Sequence, residues 1–285
     1  MRALLVYKKS TYDFYMAEDS DVHLSTRDKQ ELKESHDANA VSIKAVEDAL
    51  NQLGIEYEKT YRAQTWKGRE GFGIPDLVIA VGGDGTFIEA SRIVHEEQVI
   101  LGINSDPRKS HGHYCRADRG NALEAIRAVR DGKADVELRW RIVFSIDDKE
   151  HEFSVMNDLL VHHSSPAGLT RYILSSTDEK VKAQEHYCSG LWIATPSGQS
   201  GALDSHDGPS TYDDVRSILF KSSGFIKNKL HDDHILSGVV DKLYIISKMR
   251  RGKIYVDGER VELDFPYNAT LSVYADDGIM IVQGF

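Results

Sequence analysis

The sequence contains few of the features that mark secreted, membrane-bound or nucleic-acid-binding proteins. Only two cysteines, Cys115 and Cys188, occur in 285 residues; their wide separation argues against a disulfide scaffold and fits a reducing compartment. The apolar run at residues 1–7 is too short for a signal peptide or a membrane span. No block of lysine and arginine interleaves with aromatic residues, and the formal net charge is -10. We therefore expect a cytoplasmic protein that binds a small molecule, with neither nucleic acid nor membrane as a partner.

The chain is long enough for two domains, and its hydrophobic pattern changes near residue 135. Before that point, strand-like runs at 76–81 and 99–103 alternate with helical stripes at 40–53, 87–97 and 122–129. This alternation predicts an α/β domain with a parallel sheet over residues 1–135. Residues 10–40 are polar with few apolar anchors, and we expect them to form a mobile surface loop.

Residues 136–285 are predicted to form a β-rich domain, because short strand-like runs follow one another without helical stripes. Asp257-Gly258 stands between two such runs and indicates a hairpin turn. The stretch from 205 to 238 is polar, and one helix is expected in it at 215–220.

A glycine-rich turn, Gly82-Gly83-Asp84-Gly85-Thr86, follows a hydrophobic strand and precedes a helix. Glycines let the backbone turn sharply and approach a bulky anion, and the first amides of the helix then point at its oxygens. The turn is therefore a candidate phosphate site, although an ordinary strand-to-helix turn would also tolerate these glycines.

The familiar phosphate fingerprints are absent around this turn. The chain has no Walker loop, and the dinucleotide fingerprint fails because Ile88 stands where its third glycine is needed. Asp84 is unusual, since a carboxylate repels phosphate. Its position makes chemical sense if it accepts a proton from an attacking hydroxyl, or if it helps to hold a divalent cation.

The turn resembles the signature shared by NAD kinases, diacylglycerol kinases and phosphofructokinases, and three further motifs resemble NAD kinases in particular. Met156-Asn157-Asp158 is similar to the Asn-Glu/Asp motif that binds NAD in that family. Residues 189–202 are similar to its Asp-Gly-Leu, strand, Thr-Pro-Thr-Gly-Ser-Thr-Ala-Tyr segment. Residues 102–107, with Gly112-His113 and Cys115, resemble the divergent branch that includes the mitochondrial NAD kinase of animals.

The resemblance implies a kinase that moves a phosphoryl group from ATP to the 2′-hydroxyl of the adenosine ribose of NAD. It also implies Mg²⁺ or another divalent cation with ATP, and a homodimer or homotetramer. Asp84 is the catalytic candidate. Candidate substrate-binding and nucleotide-binding residues are Gly83, Gly85, Thr86, Asn104, Asn157, Asp158, Ser189, Thr195, Ser197, Gly198, Ser200, Gly201 and Ser205. None of the histidine groups, His111 with His113, His162 with His163 and His231 with His234, has a complete ligand set, so no protein metal site is predicted.

Several alternatives stay open. The chain has Ser189 where most of the family has aspartate, and Ala202 where a tyrosine is expected to stack on a base. A non-catalytic dinucleotide sensor, or a related kinase acting on a lipid or sugar, are the alternative functions. Asn157-Asp158 taken alone also fits a polar pair at a strand bulge. ATP versus polyphosphate as donor, and NAD versus NADH as acceptor, are not decided by the sequence.

Overall fold

The computed structural model describes residues 1–17, 24–67, 73–95, 98–177, 180–226 and 233–285. Contacts divide the chain into two compact units: unit 1 is Met1–Glu137 with Ile279–Phe285, and unit 2 is Leu138–Gly278. Residues 279–285, which the sequence pattern groups with the second domain, return to unit 1. Val282 is buried in the core of that unit, and the Met280 N–H donates to the Gln98 carbonyl.

Unit 1 is built on a parallel sheet flanked by helices, as the alternating pattern predicts. Its sheet has the order β2-β1-β3-β4-β5. The fully buried β3 lies at the centre, and helices supply apolar side chains to the core beside it. The elements are β1 (Arg2–Tyr7), α1 (Thr11–Ala17), α2 (Thr26–Gln52), β2 (Glu56–Tyr61), a 3₁₀ turn (Arg62–Lys67), β3 (Leu77–Gly82), α3 (Asp84–Ser91), β4 (Val99–Asn104), β5 (Cys115–Asp118) and α4 (Ala122–Arg130).

The register of this sheet collects loop residues at one edge. Tyr7 of β1 lies opposite Tyr61 of β2 and Val81 of β3, and Gly82 lies opposite Asn104 of β4. The carboxyl ends of these four strands therefore meet, and the residues that follow them become neighbours.

The loop predicted at residues 10–40 is wrong, because most of this stretch is helical. Helix α2 begins after Ser25, whose hydroxyl accepts from the Asp28 N–H while the Asp28 carboxylate accepts from the Ser25 N–H. Farther along, Arg27 pairs with Glu31 one turn later at 2.9 Å. Capping and charge pairing support the solvated first half of this helix, which has no apolar stripe, so the hydrophobic pattern revealed only the part from residue 40 onward.

Unit 2 is β-rich, as predicted, and contains two antiparallel sheets around one core. One sheet has the order β13-β12-β11-β8-β15-β16, and the other includes β10-β9-β14-β17. Leu191 and Phe220 of the first sheet and Leu243 and Leu271 of the second belong to the same buried cluster. The remaining elements are β6 (Asp135–Ile146), β7 (Lys149–Glu150), β8 (Asp158–His163), β9 (Thr170–Ser176), β10 (Gln184–Cys188), β11 (Gly190–Ala194), helical turns at Gln199–Leu203 and Asp204–His206, β12 (Ile218–Ser223), β13 (Ser237–Val240), β14 (Lys242–Ser247), β15 (Gly252–Val256), β16 (Glu262–Asp264) and β17 (Thr270–Gly284).

The helix predicted at 215–220 is also wrong. Ile218, Leu219 and Phe220 are fully buried and start β12, which pairs with β11 on one side and with β13 on the other. A strand buried on both faces has no period-2 alternation, so its short apolar run cannot be told from a helical segment by pattern. In the described parts of the chain, no helix is both long enough and apolar enough to cross a bilayer.

Candidate active site

The glycine-rich turn is shaped by contacts that exclude side chains from two of its three glycines. A Cβ at Gly82 would collide with the side chain of Thr86, and a Cβ at Gly83 would collide with the Ser110 hydroxyl. Gly83 is the N-cap of α3, and its carbonyl accepts from the Thr86 N–H at 2.9 Å. Gly85 is exposed, and a Cβ there would meet only the Arg62 guanidinium, at 3.5 Å. Gly85 is thus the position of the turn where the backbone is exposed and accessible to a ligand.

Asp84 is the first residue of α3, and one of its carboxylate oxygens is held in place. Its Oδ1 accepts from the Tyr114 N–H at 2.9 Å, while its Oδ2 makes no hydrogen bond to any described residue. The Tyr114 ring stacks on Phe87 of the same helix with centroids 4.9 Å apart. Asp84 is therefore an oriented carboxylate with one oxygen left for chemistry.

Two cations that the motifs did not reveal stand beside the turn. Arg62 follows β2 and donates from Nη1 to the Thr86 hydroxyl at 3.4 Å, and its Nε lies 3.8 Å from Glu89. Lys8 follows β1, and within the described residues its ammonium has no ion pair. Burial lowers the pKa of Lys8, and the charge of Arg62 lowers it further. Two cations therefore stand at this edge together with the carboxylates of Asp84 and Glu89.

The segment after β4 folds over the turn and is fastened by Asn104. The Asn104 side chain donates to the Ser110 carbonyl at 3.1 Å and accepts from the Asp106 N–H at 3.1 Å. Gly112 has a φ of +68°, and a Cβ there would press on the Asn104 amide. The structure thus gives Asn104, a predicted binding residue, a clear role in holding this segment.

In unit 2, the Asn157-Asp158 pair lies against the loop that follows β11. The Thr195 N–H donates to the Asn157 carbonyl at 2.9 Å, and the Thr195 hydroxyl donates to the Met156 carbonyl at 2.7 Å. A Cβ at Gly198 would collide with the Asn157 backbone, and one at Gly201 would lie 3.5 Å from the Asn157 amide and 4.0 Å from the Asp158 carboxylate. The glycines of this loop therefore allow its close approach to both side chains.

The hairpin after β15 supplies a third polar group to this site. The Asp257 carboxylate accepts from the backbone N–H groups of Met156, Asn157 and Asp158 at 3.0, 2.7 and 3.1 Å. Burial raises the pKa of Asp158 to about 7, and the neighbouring charge of Asp257 contributes to the increase. Asp257 thus fixes the backbone of the motif and adds to the effect of burial on the pKa of Asp158.

The remaining predicted residues are only partly brought together. Thr195, Ser197 and Gly198 are buried in the loop beside Asn157, whereas Ser200 and Ser205 are exposed farther along it. Ser189 lies at the opposite end of β11, where its carbonyl accepts from the Thr170 hydroxyl at 3.0 Å. Six residues of extended chain separate it from Thr195, a span of about 20 Å.

The cysteines and histidines show no arrangement for chemistry of their own. Burial raises the pKa of Cys115 to about 12 and that of Cys188 to about 11, so both are protonated thiols at neutral pH. No three histidine, cysteine or acidic side chains form a metal-binding group among the residues that the structure describes. His231 lies outside the described residues.

Comparison with known proteins agrees with this geometry. Residues 1–134 match the family model of the ATP-NAD kinase N-terminal domain. A probable NADH kinase of Oryza sativa subsp. japonica is 29% identical over 228 residues, which cover 73% of this chain and 70% of that protein. The mitochondrial NAD kinase 2 of Mus musculus is 29% identical over 153 residues, or 49% of this chain and 32% of its own. The crystal structure of an NAD kinase from Archaeoglobus fulgidus in complex with ATP has the same fold, with a TM-score of 0.68 at 19% identity, covering 100% of this chain and 94% of that chain.

The fold and the carboxylate at the glycine turn, together with these matches, define the class of protein as a phosphotransferase whose acceptor is an alcohol group. Within that class, residues 1–134 match the NAD kinase family model, and the chain is similar to NAD kinases and NADH kinases. The resemblance predicted from its motifs is confirmed, and neither a lipid or sugar kinase nor a non-catalytic sensor is favoured.

Proposed function

We propose that the protein transfers the terminal phosphoryl group of ATP to the 2′-hydroxyl of the adenosine ribose of NAD, and so forms NADP. The observation that carries this proposal is the Asp84 carboxylate, which is anchored through Oδ1 to the Tyr114 N–H, while its Oδ2 accepts no hydrogen bond from any residue that the structure describes. In this proposal, Oδ2 accepts the proton of the ribose hydroxyl while that oxygen attacks phosphorus.

Unit 1 supplies the donor site in this proposal. The exposed backbone of Gly85 and the amide of Gly83 contact the polyphosphate, while Lys8 and Arg62 offset its negative charge. Thr86 shapes the turn, because its N–H donates to the Gly83 carbonyl. Phosphoryl transfer depends mainly on alignment and charge stabilisation, so these groups are what the protein needs to supply on the donor side of the reaction.

The residues at this edge also fit the divalent cation that accompanies ATP in kinases. Mg²⁺ is usually bound by one or two carboxylates together with substrate phosphates, and Asp84 offers one oriented carboxylate oxygen. We propose Mg²⁺ as this cation, held by the phosphate oxygens of the donor. Asp84 Oδ2 would be a ligand of the cation only in place of its role as the base, because one oxygen cannot do both. When bound, Mg²⁺ would neutralise charge that develops on the phosphate oxygens.

Unit 2 supplies the acceptor site. The Asn157 amide pairs with an adenine edge, and the Asp158 carboxylate accepts hydrogen bonds from ribose hydroxyls or the adenine amino group. Thr195, Ser197 and Gly198 position this pair, and Ser200, Gly201 and Ser205 line the same pocket. Ser189, at the far end of β11, is assigned to the nicotinamide half of the dinucleotide.

We also propose that the active species is a homodimer or homotetramer, as the family resemblance implies. An active monomer in light scattering would contradict this proposal.

The experiment that tests the proposed function is NADP formation by Asp84→Asn. With ATP, Mg²⁺ and NAD present, we expect kcat to fall by about 10²- to 10⁴-fold, because asparagine cannot accept the proton. Asp118→Asn is the matched control: Asp118 also accepts a backbone N–H in unit 1, from Gly120 at 2.7 Å, and its variant should keep the wild-type rate. Near wild-type turnover by Asp84→Asn would exclude Asp84 as the base. Parallel reactions with NADH and with inorganic polyphosphate measure the acceptor and donor preferences.

A further inference from the structure

A cavity of about 980 Å³ opens in unit 2, apart from the Asn157-Asp158 motif. It lies beside His163, the last residue of β8, whereas Asp158 is the first residue of that strand. Five residues of extended strand span about 17 Å. The cavity is lined by four cationic side chains, Arg171, Lys248, Arg250 and Arg251, and by no acidic residue.

These four cations have no carboxylate partner. Neither Arg171 nor Lys248, Arg250 or Arg251 forms an ion pair with any described residue. Lys253, a few positions later in β15, shows the contrast, because its ammonium lies 2.6 Å from Glu262 and 2.9 Å from Asp264. The chain has 45 acidic and 35 basic side chains. Acidic side chains are therefore more numerous in the chain than basic ones, yet among the described residues none pairs with these four cations. The four positive charges repel one another around one cavity.

The backbone that carries these cations is fixed by the sheets. The Lys248 N–H donates to the Arg171 carbonyl at 2.9 Å, and the Ser164 N–H donates to the Arg251 carbonyl at 2.8 Å. Two of the cationic groups lie over aromatic rings: Lys248 is 5.2 Å from the centroid of Tyr267, and Arg171 is 5.3 Å from that of Tyr187. Ring faces attract a cation without cancelling its charge. Lys248 and Arg171 are thus held in place, while Arg250 and Arg251 project from a fixed backbone as exposed side chains, and the positive field of all four stays open to a ligand.

We propose that this cavity is a second anion site, which binds a small molecule carrying several phosphate groups. Guanidinium groups match phosphate oxygens in paired hydrogen bonds, and three arginines line the cavity. Its volume lies near the upper end of the range for pockets that bind small molecules, so it is much larger than a single phosphate requires. Tyr267, 55% exposed, offers a ring face to the organic part of such a ligand. The proposal does not depend on the kinase activity, because the donor cations lie in unit 1.

The test needs a signal from the cavity itself, because phosphates also bind at the donor site. Met249, which is buried and lines the cavity, is one of five methionines. Its ¹³C-methyl NMR signal can be assigned with Met249→Leu and followed while inorganic tripolyphosphate is added to the full-length protein. In the wild type, we expect a saturable shift of this signal.

The variants then separate the cavity from general charge effects. Arg250→Gln with Arg251→Gln should raise the dissociation constant for tripolyphosphate, read at Met249, by about tenfold or more, because charge-assisted hydrogen bonds are lost. The control, Lys149→Gln with Lys182→Gln, removes two exposed unit 2 lysines outside the cavity and should leave it unchanged. A Met249 signal that does not respond to tripolyphosphate, or that moves only with a short DNA duplex, would overturn the proposal. So would equal affinity in the wild type and the arginine double variant.

Discussion

The carboxyl edge of the parallel sheet in unit 1 and the Asn157-Asp158 motif in unit 2 are both polar, but they differ in charge: two cations stand among the carboxylates of the first, whereas two carboxylates stand together in the second. In unit 1, Lys8 and Arg62 stand beside an exposed glycine backbone. In unit 2, Asp158 and Asp257 stand together, and three backbone N–H groups satisfy the second carboxylate. The first arrangement suits a polyphosphate, and the second suits the hydroxyl and amino groups of a nucleoside. This difference supports the proposal that the donor binds in unit 1 and the acceptor in unit 2.

The largest effect is expected from the buried carboxylate of unit 2. Because the folded-state pKa of Asp158 is raised to about 7 from its ordinary value of 3.8, the folded protein holds this proton more tightly than the unfolded chain. Its stabilising contribution is complete below about pH 4 and is lost as the pH rises towards 7, a change of up to about 4 kcal/mol. Asp158→Asn should therefore be more stable than the wild type at pH 8, and about equally stable near pH 4. Denaturant unfolding at both pH values measures this, with Asp118→Asn as the control. A constant difference between wild type and Asp158→Asn across the pH range would contradict the buried, charge-coupled site.

Two glycines of the turn are expected to respond differently to the same added methyl group. Gly82→Ala should destabilise the protein by about 3 kcal/mol, because the new Cβ collides with the buried Thr86 side chain. Gly85→Ala meets no close contact, so the free energy of unfolding should change by less than about 1 kcal/mol, while the KM for ATP rises. Urea unfolding and steady-state kinetics separate the two. If Gly85→Ala left the KM for ATP unchanged, the polyphosphate would not lie against this point of the turn.

Asp257 tests the comparison between the two units at the proposed acceptor site. Asp257→Asn replaces a carboxylate that accepts three backbone hydrogen bonds, and we expect about 2 kcal/mol weaker NAD binding, with little effect on ATP. The pKa of Asp158 should also fall, because the neighbouring negative charge is gone. Calorimetric titration with NAD measures the first effect, and the pH dependence of unfolding measures the second. Unchanged NAD affinity would remove Asp257 from the positioning of Asn157 and Asp158.

The parts of the fold that the sequence predicts are those set by local signals. The buried run of β3 and the glycines after it predict a strand, a turn and a helix within a stretch of fifteen residues. The second half of helix α2 was predicted from its apolar stripe at residues 40–53, whereas its first half was missed because capping at Ser25 and charge pairs, rather than an apolar stripe, support its first turns. Strand β12 was mistaken for a helix because it is buried on both faces.

The residues of the candidate site likewise fall into those that the sequence reveals and those that it does not. The motif residues could be named from sequence, since glycine and carboxylate chemistry is visible in a few consecutive letters. Lys8 and Arg62 could not, because only the register of β1 and β2 against β3 makes them neighbours of the turn. The contact of the Asp257 carboxylate with the Asn157 N–H joins residues 100 positions apart, and no local pattern contains it. Sequence therefore reveals the chemistry of single residues, while pairing between strands decides which of them act together.

The most direct test of the assignment of donor and acceptor is a calorimetric titration of ATP and of NAD into the wild type, Lys8→Gln and Asn157→Ala. Lys8→Gln removes a half-buried cation that has no ion pair within the described residues, so its fold should be retained. We predict that Lys8→Gln weakens ATP binding by about tenfold and leaves NAD binding within about twofold of the wild type, and that Asn157→Ala does the reverse. Weaker NAD binding with unchanged ATP binding in Lys8→Gln would contradict the assignment of the donor to unit 1.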